Sequence, residues 1–399
     1  MQSSFVEASE VLNKLKEAGY KAYFVGGSVR DYLMEREIGD IDIATNATPE
    51  EVMSLFSKTI PVGLKHGTVI VRHRHESYEV TTFRKESNYE DKRHPSSVVF
   101  IDSLYEDLAR RDFTMNAMAM DENGEIYDPY NGRKAIQLKQ IETVGDASHR
   151  FQEDPLRIMR ALRFMSVYGF SLEEKTKQAC IQLSHELKAI SVERMAVEFI
   201  KLLAGSHCSG ALKMIDEYHI YRFLPALSEY DQSFKALFPI DWDRLESNEE
   251  RWTLLLFLLG VDDIPSFLRK WKLPNSLIKK AVKLISFIDK PLSLWDIYRL
   301  GLKDSLSCQR MSNLLNGRTP YHDFKKIKEQ YDSLAIKSRK DIALETNAIV
   351  NVIAKKRGPW INTLLSEMQK AIVEKRLKNN EKELMEWVRR WKENETTTS

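Results

Sequence analysis

Residues 23 to 45 read YFVGGSVRDYLMEREIGDIDIAT, and two features in them could do chemistry: Gly26 and Gly27 followed by Arg30, and two aspartates, Asp40 and Asp42. On a strand alternate side chains share a face, so Asp40 and Asp42 are expected to point one way while Ile41 and Ile43 enter the core. Carboxylates that close repel, and a hard divalent cation is the simplest relief. Mg²⁺ held by a few carboxylates plus substrate phosphates is the usual arrangement in phosphoryl transfer. The double glycine reads as a turn whose bare N–H groups, leading into a helix that starts near Ser28 with Arg30 in its first turn, can cradle a triphosphate beside that metal. Either feature alone is more often a structural turn or a solvated acidic pair. Both within one strand-turn-helix-strand span favour chemistry.

A second constellation is EDPLRIMRALRF, residues 153 to 164. On a helix Asp154, Arg157, Arg160 and Arg163 step by three and form a polar stripe, while Leu156, Met159 and Leu162 serve the packed side. An aspartate accepts and an arginine donates. Cytosine and adenine each present an amine donor beside a ring-nitrogen acceptor, whereas uracil and guanine present a carbonyl beside an N–H. Asp154 with Arg157 therefore complements C and A and rejects U and G, with Arg160 and Arg163 bracing Asp154 or reaching the sugar and phosphates. In RRDFTMNA (110–117), Asp112 and Asn116 can cap and hydrogen-bond the local turn. In SVERMAVEF (191–199), Ser191 reads as a helix cap and Arg194 and Glu198 as an i,i+4 pair. His73 and His75 read as exposed turn residues rather than a metal pair, and Glu79 in YEVTT is a candidate third carboxylate.

The elements that must position these groups change character along the chain. Ala8, Val11, Leu12, Leu15 and Ala18 mark one helical face stopped at Gly19; KAYFV and DIDIA read as strands; TPEE (48–51) is a capping box with proline at the first helical position; GTVIVRH and YEVTTFR read as a hairpin. From about residue 143 strand alternation gives way to helix starts such as SLEE at Ser171. The charged stretch RKESNYEDKRHP (84–95) reads as a mobile loop, and the terminal NETTTS as disordered.

The 399 residues, 43% hydrophobic, suffice for two or more domains with their own cores. No basic leader precedes an apolar core, and the longest apolar run, LLLFLLGV, is far too short to span a bilayer, which points to a cytoplasmic protein without a membrane partner. Cys180, Cys208 and Cys308 lie far apart with no CxxC pair, which argues against a disulfide framework or structural zinc. A net charge of +2 leaves any nucleic-acid surface local.

The run GGSVRD then GDIDIAT resembles the nucleotidyltransferase motif of the polymerase beta superfamily. LARRDFTMNAMAM, DPYNG, RFQEDPLRIMRALRF and SVERMAVEFIKLL follow in the order of class II CCA-adding enzymes, the tRNA nucleotidyltransferases of bacteria and eukaryotes. FLRKWKLPN and RGPW are similar, more loosely, to the body and tail of Gram-positive members. The resemblance implies an α+β fold: a mixed-sheet nucleotidyltransferase head (1–145) followed by an all-helical neck with base recognition (146–205), body (206–315) and tail binding tRNA (316–399). It implies Asp40 and Asp42 as catalytic metal ligands for Mg²⁺. It also implies nucleotide contacts at Gly27, Arg30, Arg111, Asp154, Arg157, Arg160 and Arg163, with Arg111 at the ribose or phosphate. CTP, ATP and the acceptor and T arms of tRNA are the implied partners, with a homodimer left open. In that family the 84–95 position holds a flexible loop needed for the switch from CTP to ATP. Poly(A) polymerases and enzymes adding only CC or only A share the motifs and are the alternatives within the family, but enzymes adding only CC lack that loop, so its presence implies template-independent addition of C, C and A to the 3′ end of tRNA; a catalytically silent RNA-binding protein is the alternative outside enzymes. Two places depart from the pattern: Glu142 stands where arginine is common, and LETNAIV (344–350) where a glycine-lysine-aspartate motif is common.

Overall fold

The computed structural model describes residues 3–89 and 95–397, and the chain forms two compact units, 1–243 with 267–273, and 244–266 with 274–399. The first unit begins with α1 (Ser3–Glu17), whose face of Phe5, Ala8, Val11, Leu12 and Leu15 is fully buried. Ala18, expected on this face, lies beyond the helix end and is exposed. Then follow β1 (Ala22–Val25), α2 (Gly27–Leu33), β2 (Asp42–Thr45), α3 (Pro49–Leu55), β3 (Thr59–Gly63), β4 (Thr68–His73) and β5 (Glu76–Thr82). Thr48 caps α3 in a full capping box with Glu51, Pro49 sits in the first turn, and β4 and β5 form the expected hairpin. After β6 (Arg84–Tyr89), β7 (Pro95–Phe100) and α4 (Leu104–Ala109), the short strands β8 (Ala119–Met120) and β9 (Ile126–Tyr127) complete a seven-stranded sheet ordered β3-β4-β5-β2-β1-β8-β9. It is mixed: β2 runs antiparallel to β1 but parallel to β5. Buried Phe24, Ile43, Val69 and Val80 pack its face against α1, so the sheet holds the C-terminal end of β1 and the N-terminal end of β2 side by side.

The stretch read as a loop from 84 to 95 is largely strand. Residues 84–89 pair antiparallel with 95–100, because ladder hydrogen bonds to a partner strand satisfy the polar backbone whatever the side-chain pattern; residues 90–94 lie outside the described residues.

After α5 (Gly132–Gln137) and β10 (Gln140–Ile141), the chain turns helical: α6 (Ala147–Glu153), α7 (Leu156–Tyr168), α8 (Glu174–Gln182), α9 (Val192–Leu203) and α10 (Cys208–Glu217). One short strand, β11 (Ser171–Leu172), pairs with β10, so Ser171 does not cap a helix; Glu173 caps α8 instead, accepting from the Thr176 N–H. The second unit is helical. Its helix Asn248–Leu259, capped by Ser247 and ended by Gly260 at φ 70°, buries Trp252 and Leu254–Leu256 and carries the buried Glu250 that pairs with Arg310. The departure at 344–350 falls within a helix start, Thr346–Ile353. The terminal helix runs Glu381–Thr397 and takes in most of the NETTTS end, since extending a formed helix costs little; residues 398 and 399 lie outside the described residues. No helix among the described residues is long and apolar enough to cross a membrane.

Candidate active site

A cleft of about 1030 Å³ in the first unit is lined by Gly26, Gly27, Arg30, Asp42, Arg111, Asp112, Asn116, Asp154, Arg157, Arg160, Arg163 and Arg194. At its floor the chain leaves β1 through Gly26, which holds φ 74°, ψ −133°, a conformation that L side chains avoid. A Cβ there would lie 3.0 Å from Arg111 Nη1 and 3.4 Å from Asp42 Oδ2. The bare turn therefore lets a guanidinium and a carboxylate approach the backbone closely.

Asp42 opens β2 and stands in register with Glu79 on β5. Its carboxyl is pushed up to about 6, first by burial, then by Glu79 and Asp40, with Arg111 pulling the other way. Ile41 and Ile43 enter the core as expected. Asp40 does not share a strand face with Asp42: ladder pairing begins only at Asp42, and Asp40 sits exposed in the preceding loop after Gly39, outside the large cleft. Its charge nonetheless reaches Asp42.

Arg30 is buried and anchored. It donates to Asp31 at 3.0 and 2.9 Å and to Asn116 Oδ1 at 2.6 Å, and its guanidinium lies 4.7 Å from the Tyr168 ring centre. Arg111 donates from Nη2 to the buried Asp107 at 3.4 Å, while its Nε, also buried, has no partner among the described residues. An anion in the cleft would supply one.

The polar stripe of residues 154 to 163 is rearranged. Asp154 is not on the helix: it sits between α6 and α7 at φ −142°, ψ 97°, because a residue before proline is disfavoured in the α region and Pro155 follows. Arg157, Arg160 and Arg163 do lie on α7. The Asp154 carboxylate is held by Arg194, whose Nη2 and Nη1 donate at 2.7 and 3.3 Å. Arg160 and Arg163, expected to brace Asp154, pair elsewhere. Arg160 Nε donates to Asp112 at 2.7 Å, and Arg163 Nε lies 3.1 Å from Glu198. The local Arg194–Glu198 pair is thus replaced by two longer-range pairs that tie α9 to the α6–α7 segment, and Ser191 occupies the cap position of α9 without a side-chain bond. Arg157 is fixed by Glu153 Oε2 at 2.7 Å and by the Arg150 carbonyl at 3.0 Å. Asp112 accepts from the Phe113 N–H and Asn116 as read from sequence. Burial would raise its carboxyl, but Arg160 and Asn116 more than offset this and hold it well below the ordinary range.

Sequence reasoning passed over Glu153, Asp107 and the role of Arg194. The spacings Glu153 to Arg157 and Asp107 to Arg111 were legible i,i+4 signals; the Arg194–Asp154 contact, 40 residues apart, is not local. His75 is exposed in the turn as expected, whereas His73 ends strand β4, half-buried and bonded to Glu10; all three cysteines are buried and free. Glu142 lines a separate, smaller cleft, away from Asp42.

Among the described residues no three His, Cys, Asp or Glu side chains converge closely enough to hold a metal by themselves. Asp42, destabilised as a carboxylate first by burial and then by Glu79 and Asp40, is nevertheless a site that a cation would relieve, with the remaining ligands drawn from water and phosphate oxygens.

Residues 22–142 match the Poly A polymerase head domain, 169–231 the RNA- and SrmB-binding site of polymerase A, and 243–388 the tRNA nucleotidyltransferase domain 2. A CCA-adding enzyme of Geobacillus sp. (strain WCH70) is 45% identical over 394 residues, 97% of each chain. This chain belongs to the CCA-adding enzyme family. The crystal structure of the Bacillus stearothermophilus CCA-adding enzyme in complex with CTP superposes with a TM-score of 0.94 at 40% identity, covering 100% of both chains. A tRNA nucleotidyltransferase complexed with a primer tRNA and an incoming ATP analogue matches at TM-score 0.59 and 27% identity over 81% of this chain and 98% of its own. Nucleotidyltransferases of this family generally use a divalent metal.

Proposed function

We propose that this chain adds C, C and A to the 3′ end of tRNA from CTP and ATP without a nucleic-acid template. The observation that carries the reading is one cleft holding both a perturbed carboxylate, Asp42, against Arg111, and a fixed acceptor and donor, Asp154 and Arg157. Asp42 would hold Mg²⁺ with water and phosphate oxygens, Asp40 joining from the preceding loop rather than from a shared strand face, and the ion when bound lowers the pKa of the attacking hydroxyl and screens the leaving charge. The tRNA 3′ oxygen bonds to the α-phosphorus, the bond to the β-phosphate oxygen breaks, pyrophosphate departs, and the hydroxyl proton is released to solvent. Gly27, Arg30 and Arg111 face the triphosphate, Arg160 and Arg163 line the wall beside it, and Asp154 with Arg157 reads the base edge. The division into head (1–145), neck (146–205), body (206–315) and tail (316–399), with the tail gripping the acceptor and T arms, follows the same reading. So does action in the cytoplasm.

The test is a tRNA transcript ending before CCA, incubated with each nucleotide alone and then with CTP and ATP together, and sized. CTP alone should add two residues and the pair three, after which addition stops. The match of residues 22–142 to a poly(A) polymerase head favours one rival; long A tracts from ATP alone would establish it and overturn this reading.

A further inference from the structure

The side chain of Asp107, on α4, is wholly buried, and a buried carboxylate needs several donors to be tolerated. Its donors come from two places. Oδ1 accepts from Arg110 Nε and Nη2 at 3.0 and 2.9 Å and from the backbone N–H of Arg84, the first residue of β6, at 3.2 Å. Oδ2 accepts from Arg111 Nη2 at 3.4 Å. The root of the 84–100 hairpin and the arginine on the cleft floor therefore share one carboxylate. The root is tied to the floor a second time, because the N–H of neighbouring Phe83 donates at 2.6 Å to the carbonyl of Thr45, the last residue of the strand that begins with Asp42.

We propose that Asp107 is a positioning residue that couples the hairpin root to Arg111, so that occupancy of Arg111 by a nucleoside triphosphate is felt at the hairpin. This rests on the reading of Arg111 as a nucleotide contact. A phosphate oxygen reaching Arg111 competes with Oδ2 for the guanidinium, and the charge it displaces falls on the oxygen that the hairpin amide shares. Linkage is reciprocal: whatever the hairpin does to triphosphate affinity, the triphosphate does to the hairpin.

The experiment is hydrogen exchange of the 84–89 amides, with and without saturating CTP and with no tRNA present, in the parent and in Asp107→Asn. CTP should slow exchange in the parent by several-fold and leave it unchanged in the variant at CTP concentrations shown by titration to saturate it. Steady-state assays should then show the variant's KM for CTP lowered several-fold with kcat nearly kept, because the carboxylate no longer competes with the phosphate for Arg111. Should Asp107→Asn fail to fold, Asp107→Ser, which removes the charge and leaves Arg111 intact, takes its place. A parent that binds CTP without any change at 84–89, or a variant with the parent's full response, overturns the coupling. A parent that binds no CTP would instead count against the nucleotide reading itself.

Discussion

Arg194→Ala should relax base choice without removing any group that touches the nucleotide. Asp154 is kept in its acceptor pose by two Arg194 bonds, at 2.7 and 3.3 Å, and by the Leu156 N–H at 3.1 Å. Hydrogen bonds to charged groups contribute about 1.5–3 kcal/mol each when shielded. Here both side chains are partly exposed, 24% and 16%, so the pair restrains Asp154 by about 1–2 kcal/mol in all. A carboxylate freed to rotate loses most of one base-edge bond, which carries roughly 1–3 kcal/mol of discrimination. The ratio of kcat/KM for CTP over UTP should therefore fall about tenfold or somewhat more, each 1.4 kcal/mol being a factor of ten. The assay is single-nucleotide addition to a tRNA transcript ending before CCA, with thermal melting run alongside. Arg194→Lys, which keeps the charge but not the fork, should fall between parent and alanine variant. A folded Arg194→Ala protein whose CTP over UTP ratio stays within twofold of the parent refutes the reasoning.

Asp42→Asn should abolish addition while the protein still binds tRNA by filter retention; addition within tenfold of the parent would remove Asp42 from the chemistry. Gly26→Ala should lose most activity and about 1–2 kcal/mol of stability in urea melts, since its Cβ would sit 3.0 Å from Arg111 Nη1 at φ +74°. The Asp112 carboxyl is held below its ordinary range, so its contribution to stability is full above the unfolded value of about 3.9 and is lost as pH falls toward the folded one. Asp112→Asn should accordingly flatten the acid limb of a stability-versus-pH series below about pH 5.

Local rules carried the reading as far as local physics reaches. The Thr48 capping box, the buried α1 face, the β4–β5 hairpin and the buried Ile41 and Ile43 all follow from spacing and propensity alone, and so does the glycine turn against Asp42. Failures came where a neighbour outside the window decided. Arg194 prefers Asp154, 40 residues earlier, over Glu198 on its own helix, and the 84–89 strand exists because 95–100 pairs with it. One failure was avoidable: Asp154 precedes Pro155, and that dipeptide by itself argues against a helix continuous through 154. Asp40 was placed on a strand that begins two residues later, at Asp42, since alternation cannot tell where ladder pairing begins.

The cationic wall of the cleft is built from couples, three of which join distant parts of the chain, Asp112 with Arg160, Asp154 with Arg194 and Glu198 with Arg163, and a fourth of which is local, Asp107 with Arg111. A single replacement in any couple strands an opposite charge in a shielded place, which costs more than the couple contributes. Over evolutionary time such positions are expected to change in pairs or not at all, so that covariation between 112 and 160, 154 and 194, 163 and 198, and 107 and 111 should be the mark left on the family's sequences by a site that concentrates charge inside a nearly neutral chain.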